Sequence, residues 1–174
     1  KGLLDPNRRE FVWITEFPMF EYSETEGRYM AMHHPFTSPM PEHLDMMLSG
    51  NLKDCKAQAY DLVLNGVEIG GGSIRIHNPE VQEKVFRLLG LTEEQVQEKF
   101  GFFVDAFKFG APPHGGLAFG LDRIVATMEG QESIRDFIAF PKNTSASSPM
   151  DQSPSEVDLQ QLQDIHISVN LGKK

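Results

Sequence analysis

Apolar residues fall in short runs over the first half of the chain and then recur every three to four positions over much of the second. The run Phe11-Val12-Trp13-Ile14-Thr15 is aromatic and β-branched and predicts a buried strand. Arg28-Tyr29-Met30-Ala31-Met32 predicts another, joined to the first by a polar turn over residues 24–27. Three prolines between positions 35 and 51 predict a loop. Ala59-Tyr60-Asp61-Leu62-Val63-Leu64 predicts a strand that ends at Asn65-Gly66, a dipeptide that tolerates positive φ at both centres of a tight hairpin. Val67-Glu68-Ile69 is the expected return strand. Gly70, Gly71 and Gly72 are then expected to interrupt the sheet before Ser73-Ile74-Arg75-Ile76.

At Asn78 the period becomes helical. Asn78 as N-cap and Pro79 at the first helical position open a helix with Val81, Val85, Leu88 and Leu89 on one face, ended by Gly90. Thr92 with Gln95 three residues on predicts a capping box for a second helix, whose apolar face is Val96, Phe100, Phe103, Val104 and Phe107 and whose stop is Gly110. Residues 115–119 predict a short strand. Leu121, Ile124, Val125 and Met128 predict a further helix stopped by Gly130, and Ser155 is the expected cap of a short last helix through Leu159 and Leu162. Hairpins followed by helices, without strand–helix–strand alternation, predict an α+β fold: an antiparallel sheet flanked by helices.

Composition narrows this picture. A chain of 174 residues with 40% apolar residues fits one domain with a real core. No apolar run approaches the roughly 18 residues of a membrane span, which predicts a soluble protein. The opening Lys1-Gly2-Leu3-Leu4-Asp5-Pro6 lacks the apolar core of a signal peptide, and the missing initiator Met points to a processed or truncated chain. Cys55 is the lone cysteine, so no internal disulfide is available and a reducing, cytoplasmic compartment is expected. A net charge of -9 repels phosphate backbones, so any polynucleotide partner is held by local patches or by other parts.

Four segments can carry chemistry. In Gly115-Gly116-Leu117-Ala118-Phe119-Gly120-Leu121-Asp122-Arg123 a strand enters a helix through a glycine, and Arg123 stands in the first helical turn. A cation there opposes the helix dipole by roughly 0.3–1 kcal/mol. A bound anion would relieve the conflict, and so would an ion pair with Asp122 or a glutamate. Asp61 and Glu68 flank the hairpin turn on facing strands, where they are either solvated carboxylates or the two sides of a cation site. Mg²⁺ suits the latter, since it takes one or two carboxylates plus phosphate oxygens. The triple glycine marks close backbone approach or a bulge. It is no phosphate loop, because no Lys-Ser/Thr follows and the next element is a strand. Arg75 alternates with Ile74 and Ile76 and leaves their apolar face, as a surface charge or as an anion's partner. His33 and His34 are neighbours that point to opposite sides of an extended chain. They make a poor bidentate metal site and otherwise read as polar residues at a strand end.

Together these segments resemble a known family. The stretch Gly115 through Arg123 resembles motif 3 of class II aminoacyl-tRNA synthetases, and Glu68-Ile69-Gly70-Gly71-Gly72-Ser73-Ile74-Arg75 resembles the pattern of their class IIb. His33-His34-Pro35-Phe36-Thr37 resembles the signature of the bacterial-type aspartyl-tRNA synthetases, where the asparaginyl and lysyl enzymes read differently. Residues 11–20, residues 99–113 and Phe140-Pro141-Lys142 agree as well; residues 149–155 match least.

The resemblance implies the C-terminal part of a class II catalytic fold. It implies a reaction in which L-aspartate attacks the α-phosphate of ATP, giving aspartyl-adenylate and pyrophosphate, before the aspartyl group passes to tRNA. Arg123 would be the catalytic arginine on ATP, with Gly120, Leu121 and Asp122 beside it. Asp61 and Glu68 would hold Mg²⁺, Glu68 also touching ATP. Arg75 would bind the side-chain carboxylate of aspartate, with His33 as the first histidine ligand and His34 as the second. A homodimer is implied for the parent enzyme. Motif 1, motif 2, the anticodon-binding domain and the insertion domain match nothing in the 174 residues, so the chain alone is expected to be inactive. Two rivals stand beside this reading. Against a related asparagine or lysine ligase stand Arg75 and the histidine pair, because a buried arginine demands an anion. A free-standing binding or dimerisation module is favoured by the missing motifs and disfavoured by the retained site residues.

Overall fold

The computed structural model describes Asp5 and residues 8–170. They form two compact units, divided between Glu132 and Ser133. In the first unit β1 (Phe11–Thr15), β4 (Ala59–Leu64), β5 (Val67–Ile74) and β6 (Gly115–Phe119) make one antiparallel sheet in the order β1-β4-β5-β6. A separate hairpin pairs β2 (Phe20–Ser23) with β3 (Arg28–Ala31). The helices of this unit are α1 (Leu44–Leu48), α2 (Pro79–Leu88), α3 (Glu93–Phe107) and α4 (Leu121–Met128). The second unit carries α5 (Leu159–Asp164). The α+β class with an antiparallel sheet is the one the periodicities predict.

Local signals are realised where they are predicted. Asn65 and Gly66 both take positive φ, 50° and 85°, as a two-residue turn that follows the strand twist requires. Asn78 accepts hydrogen bonds from the backbone of Glu80 and Val81 and caps α2. Thr92 and Gln95 form the full capping box of α3, Gln95 N–H donating to Thr92 Oγ1 and Thr92 N–H to Gln95 Oε1. Thr92→Ala is expected to cost about 1 kcal/mol, read as a lowered thermal midpoint of the purified chain.

Long-range features differ from the expectations. The turn over residues 24–27 joins β3 to β2 rather than to β1. The four-residue β2 is too short to announce itself, and β1 instead sets its apolar run against that of β4, with Trp13 opposite Leu62. β1 is also not buried: it lies on an outer edge of the sheet, where Phe11 is 60% and Trp13 53% exposed. β5 runs unbroken through the three glycines, because both neighbouring strands pair with it there. The proline-rich stretch holds a 3₁₀ turn at Pro41–His43 leading into α1, with Pro41 in the first turn, where a missing N–H costs nothing. The cap of α5 is Asp158, which accepts from Gln160 N–H, and not Ser155.

Two packed groups fix the segments that carry the predicted site residues. Met47, Ala57 and Val85 are fully buried in the main core beneath α1 and α2. Phe36 sits among Phe86, Phe100 and Phe103, at ring-centroid distances of 6.1, 5.4 and 4.6 Å. Phe36 thereby ties the segment after the histidine pair to α2 and α3.

Candidate functional site

The hairpin β4–β5 contains a bulge. Val63 faces Glu68 but Leu62 faces Gly70, so Ile69 is the extra residue. A bulge flips every later side chain to the other face of the sheet. Residues opposite each other share a face, as do residues two apart along one strand. Asp61 opposite Gly71 and Glu68 opposite Val63 therefore lie on one face. The same alternation, carried one residue past the end of β5, gives Arg75 that face too. Without the bulge it would go to Ile74.

The bulge is held by the entrance to α4. Gly120 N–H donates to Ile69 O at 2.9 Å. Arg123 Nη1 donates to Glu68 O at 3.1 Å and lies 3.6 Å from Glu68 Oε1. The ion pair that the sequence left open for Arg123 is thus made, with Glu68. Its side chains are 48% and 51% exposed, so it is worth under about 1 kcal/mol and opens readily to a ligand. Gly120 caps α4 without any side-chain hydrogen bond, and Leu121 and Asp122 occupy the first turn. Asp61 is half-buried, with its carboxylate lying over Gly71: a Cβ there would stand 2.4 Å from Asp61 Oδ1.

Further along the strand a cleft of about 420 Å³ is lined by His34, Phe36, Arg75, Phe103 and His114. Arg75 is half-buried, and burial lowers its pKa from the ordinary guanidinium value. Among the described residues it forms no ion pair. Its side-chain partner is neutral: Arg75 Nη1 lies 3.2 Å from His34 Nδ1. Burial first, then the Arg75 charge, then His33, push the His34 pKa below the usual imidazole value.

The histidine pair divides as an extended chain requires. His34 faces Arg75, whereas His33 is exposed and packs edge-on against Phe17 at 5.3 Å. Of the two it is His34, ranked second from the sequence, that shares the cleft with the arginine. His114 escapes a reading of the sequence, although it directly precedes the motif 3 strand. It accepts Arg75 N–H at its carbonyl, and its own Nδ1 lies 2.8 Å from Pro112 O.

The structure thus brings the predicted residues, His33 excepted, into two neighbourhoods along β5. Glu68 and Arg123 meet at the bulge with Asp61 nearby on the same face; Arg75 and His34 meet at the far end. Among the described residues no cluster of three or more His, Cys, Asp or Glu is arranged for a metal ion. Asp61 and Glu68 supply hard carboxylate oxygens on one face of the hairpin, the kind of donor Mg²⁺ takes once or twice beside water and phosphate rather than in an all-protein cage. Among the described residues no helix is long and apolar enough to cross a membrane.

Known proteins resemble the chain in sequence and in fold. Curated relatives include the aspartate–tRNA ligase of Macrococcus caseolyticus, 53% identical over 98% of this chain and 28% of that protein. The ligase of Flavobacterium psychrophilum is 56% identical over 98% of the chain and 29% of its own length. The aspartate–tRNA(Asp/Asn) ligase of Desulfatibacillum aliphaticivorans is 55% identical over 97% and 28%. The chain therefore spans under a third of the relatives it matches. Among solved structures, an aspartyl-tRNA synthetase from Entamoeba histolytica superposes with a TM-score of 0.57 at 24% identity, covering 78% of this chain and 23% of that one. That organism's asparaginyl-tRNA synthetase gives 0.57 at 24%, covering 80% and 27%. Both share the fold. The family model for class II tRNA synthetases (D, K and N) matches residues 3–144, most of the chain, so the chain belongs to that family.

Proposed function

We propose that this chain forms the aspartate- and ATP-binding part of an aspartate–tRNA ligase. The observation that carries the reading is Arg75: a half-buried guanidinium in a cleft, held by a neutral partner and met by no carboxylate among the described residues. Such a charge calls for an anionic ligand. In the reading, the Arg75 fork takes the side-chain carboxylate of L-aspartate. The α-carboxylate then attacks the α-phosphate of ATP in line, and pyrophosphate leaves. No side chain serves as nucleophile; catalysis is positioning and charge neutralisation. Arg123 leaves Glu68 for the phosphates of ATP, with Gly120, Leu121 and Asp122 forming the floor beside it. Asp61 and Glu68 would hold Mg²⁺, which supplies charge neutralisation on the phosphates when bound. The names of the relatives at 53–56% identity support this substrate choice over asparagine or lysine.

Transfer to tRNA, dimerisation and a cytoplasmic setting belong to the same reading. Motifs 1 and 2 match none of the 174 residues, so catalysis is best tested in a chimera. In it this chain replaces the matching 28% of the Macrococcus caseolyticus ligase. Aspartate-dependent ATP–pyrophosphate exchange by that chimera is the expected result. Exchange supported by asparagine or lysine in place of aspartate would overturn the reading.

Glu68→Gln in the chimera is expected to raise the Mg²⁺ concentration for half-maximal exchange by on the order of tenfold, because a hard anionic oxygen is lost. The Glu68–Arg123 pair is exposed, so stability should hardly change. A Mg²⁺ titration identical to wild type would remove Glu68 from the metal site.

A further inference from the structure

Two N–H groups converge on one nitrogen of His34. The Phe36 backbone N–H donates to Nδ1 at 3.2 Å, and Arg75 Nη1 approaches the same atom at 3.2 Å. Neither an amide N–H nor a guanidinium can accept a hydrogen bond. Nδ1 must therefore present its lone pair, and the ring's single proton sits on Nε2. A doubly protonated ring would turn an N–H against both donors.

The ring is fixed from several sides before any ligand arrives. Phe36 is wedged among three phenylalanines of α2 and α3. Pro35 O accepts from the buried Gln82 Nε2 at 2.8 Å, and Phe36 O accepts from Ile76 N–H at 2.9 Å. Arg75 is anchored in turn, its N–H on His114 O at 2.9 Å and its backbone bridged to the buried Thr37. The imidazole and the arginine thus hang from adjoining, packed segments.

We propose that His34 is a positioning residue for Arg75 rather than a ligand of the substrate: its Nδ1 lone pair holds Nη1 and leaves the Nε–Nη2 edge of the guanidinium free to take a carboxylate through two parallel bonds. The ligand side of this rests on the aspartate reading above. A neutral acceptor is what the task requires. A carboxylate at position 34 would orient the guanidinium equally well but cancel its charge, and the cleft would lose its preference for an anion.

The tautomer can be read directly from the chain itself. In ¹⁵N-histidine-labelled chain at pH 7, long-range ¹H–¹⁵N spectra are expected to show His34 Nδ1 as an unprotonated acceptor and Nε2 as N–H. A protonated Nδ1 overturns the proposal. The second arm uses the chimera and two neutral variants. Asn carries its carbonyl oxygen near the place of Nδ1, whereas Gln carries its polar atoms near the place of Nε2. His34→Asn is expected to keep kcat/KM for L-aspartate within about threefold, while His34→Gln loses at least about tenfold through KM, the loss of one hydrogen bond to a charged group. The KM for ATP should not move in either. The reverse order would make His34 an Nε2 ligand of aspartate, and two variants equal to wild type would deny it any role; either outcome overturns the proposal. Should the wild-type chimera show no aspartate-dependent exchange, the aspartate reading fails by itself, and the spectra still decide the tautomer.

Discussion

Arg75→Leu in the chimera is expected to raise KM for L-aspartate steeply and to cut the aspartate-over-asparagine ratio of kcat/KM by about 10⁴. Aspartate and asparagine have nearly the same shape, so steric fit cannot separate them; charge can. A guanidinium offers a planar fork that meets a carboxylate with two N–H···O bonds. The amide of asparagine offers one acceptor and turns an NH₂ toward the cation, which leaves part of a half-buried charge unpaired. The structure supplies the rest of the condition. Among the described residues Arg75 has no carboxylate of the protein to fall back on, and its partner His34 contributes a lone pair and no negative charge. The KM for ATP should change little, since Arg123 and Glu68 meet at the other end of β5. The measurement is pyrophosphate exchange across aspartate and asparagine concentrations. Wild-type kcat/KM for aspartate in Arg75→Leu would reduce Arg75 to a strand charge and remove the basis for the substrate reading.

How far the site is legible in the sequence depends on how local each signal is. Caps and the hairpin turn are decided within four or five residues, so Asn78, Thr92–Gln95 and Asn65-Gly66 can be placed from the sequence and stand in those roles. Asp61 and Glu68 share a face because both count outward from that turn. Beyond the bulge the sequence is silent. A single extra residue at Ile69 decides whether Ile74 or Arg75 joins the carboxylates, and Ile69 itself carries no mark of it. The edge position of β1 is hidden for a related reason. Its aromatic run reads as core, but pairing with β4, almost fifty residues away, sets it on the outside of the described sheet. Alternation can say that His33 and His34 part company, yet not which one meets Arg75. That choice is made by Phe36, whose seat among the aromatic rings of α2 and α3 turns the segment. In the sequence the glycines read as a break in the strand; in the fold they are what allows it to continue.

Those glycines yield the sharpest contrast, because Gly71 and Gly72 are neighbours with opposite expected failures. A Cβ on Gly72 would lie 1.8 Å from Gly116 O and 2.8 Å from Gly116 C, the backbone of β6. Neither strand can yield without giving up its ladder, so Gly72→Ala is expected to destabilise the fold by at least about 3 kcal/mol. A Cβ on Gly71 meets no backbone closer than 3.5 Å but falls 2.4 Å from Asp61 Oδ1. A carboxylate at the end of a short side chain can rotate away, so Gly71→Ala should cost under about 1 kcal/mol of stability. What it displaces is the position of the carboxylate. If Asp61 is one of the two oxygen donors for Mg²⁺ on ATP, moving it without removing it should lower exchange by on the order of a hundredfold or more, a loss typical of a misplaced catalytic group. Raised Mg²⁺ should recover part of it. Thermal midpoints of both variant chains, set beside exchange rates of both variant chimeras, separate the two effects. Gly72→Ala is expected to fail in the first measurement, and Gly71→Ala in the second alone. A Gly71→Ala chimera with wild-type exchange would show that Asp61 can leave its place without consequence, and the metal assignment would then rest on Glu68 alone.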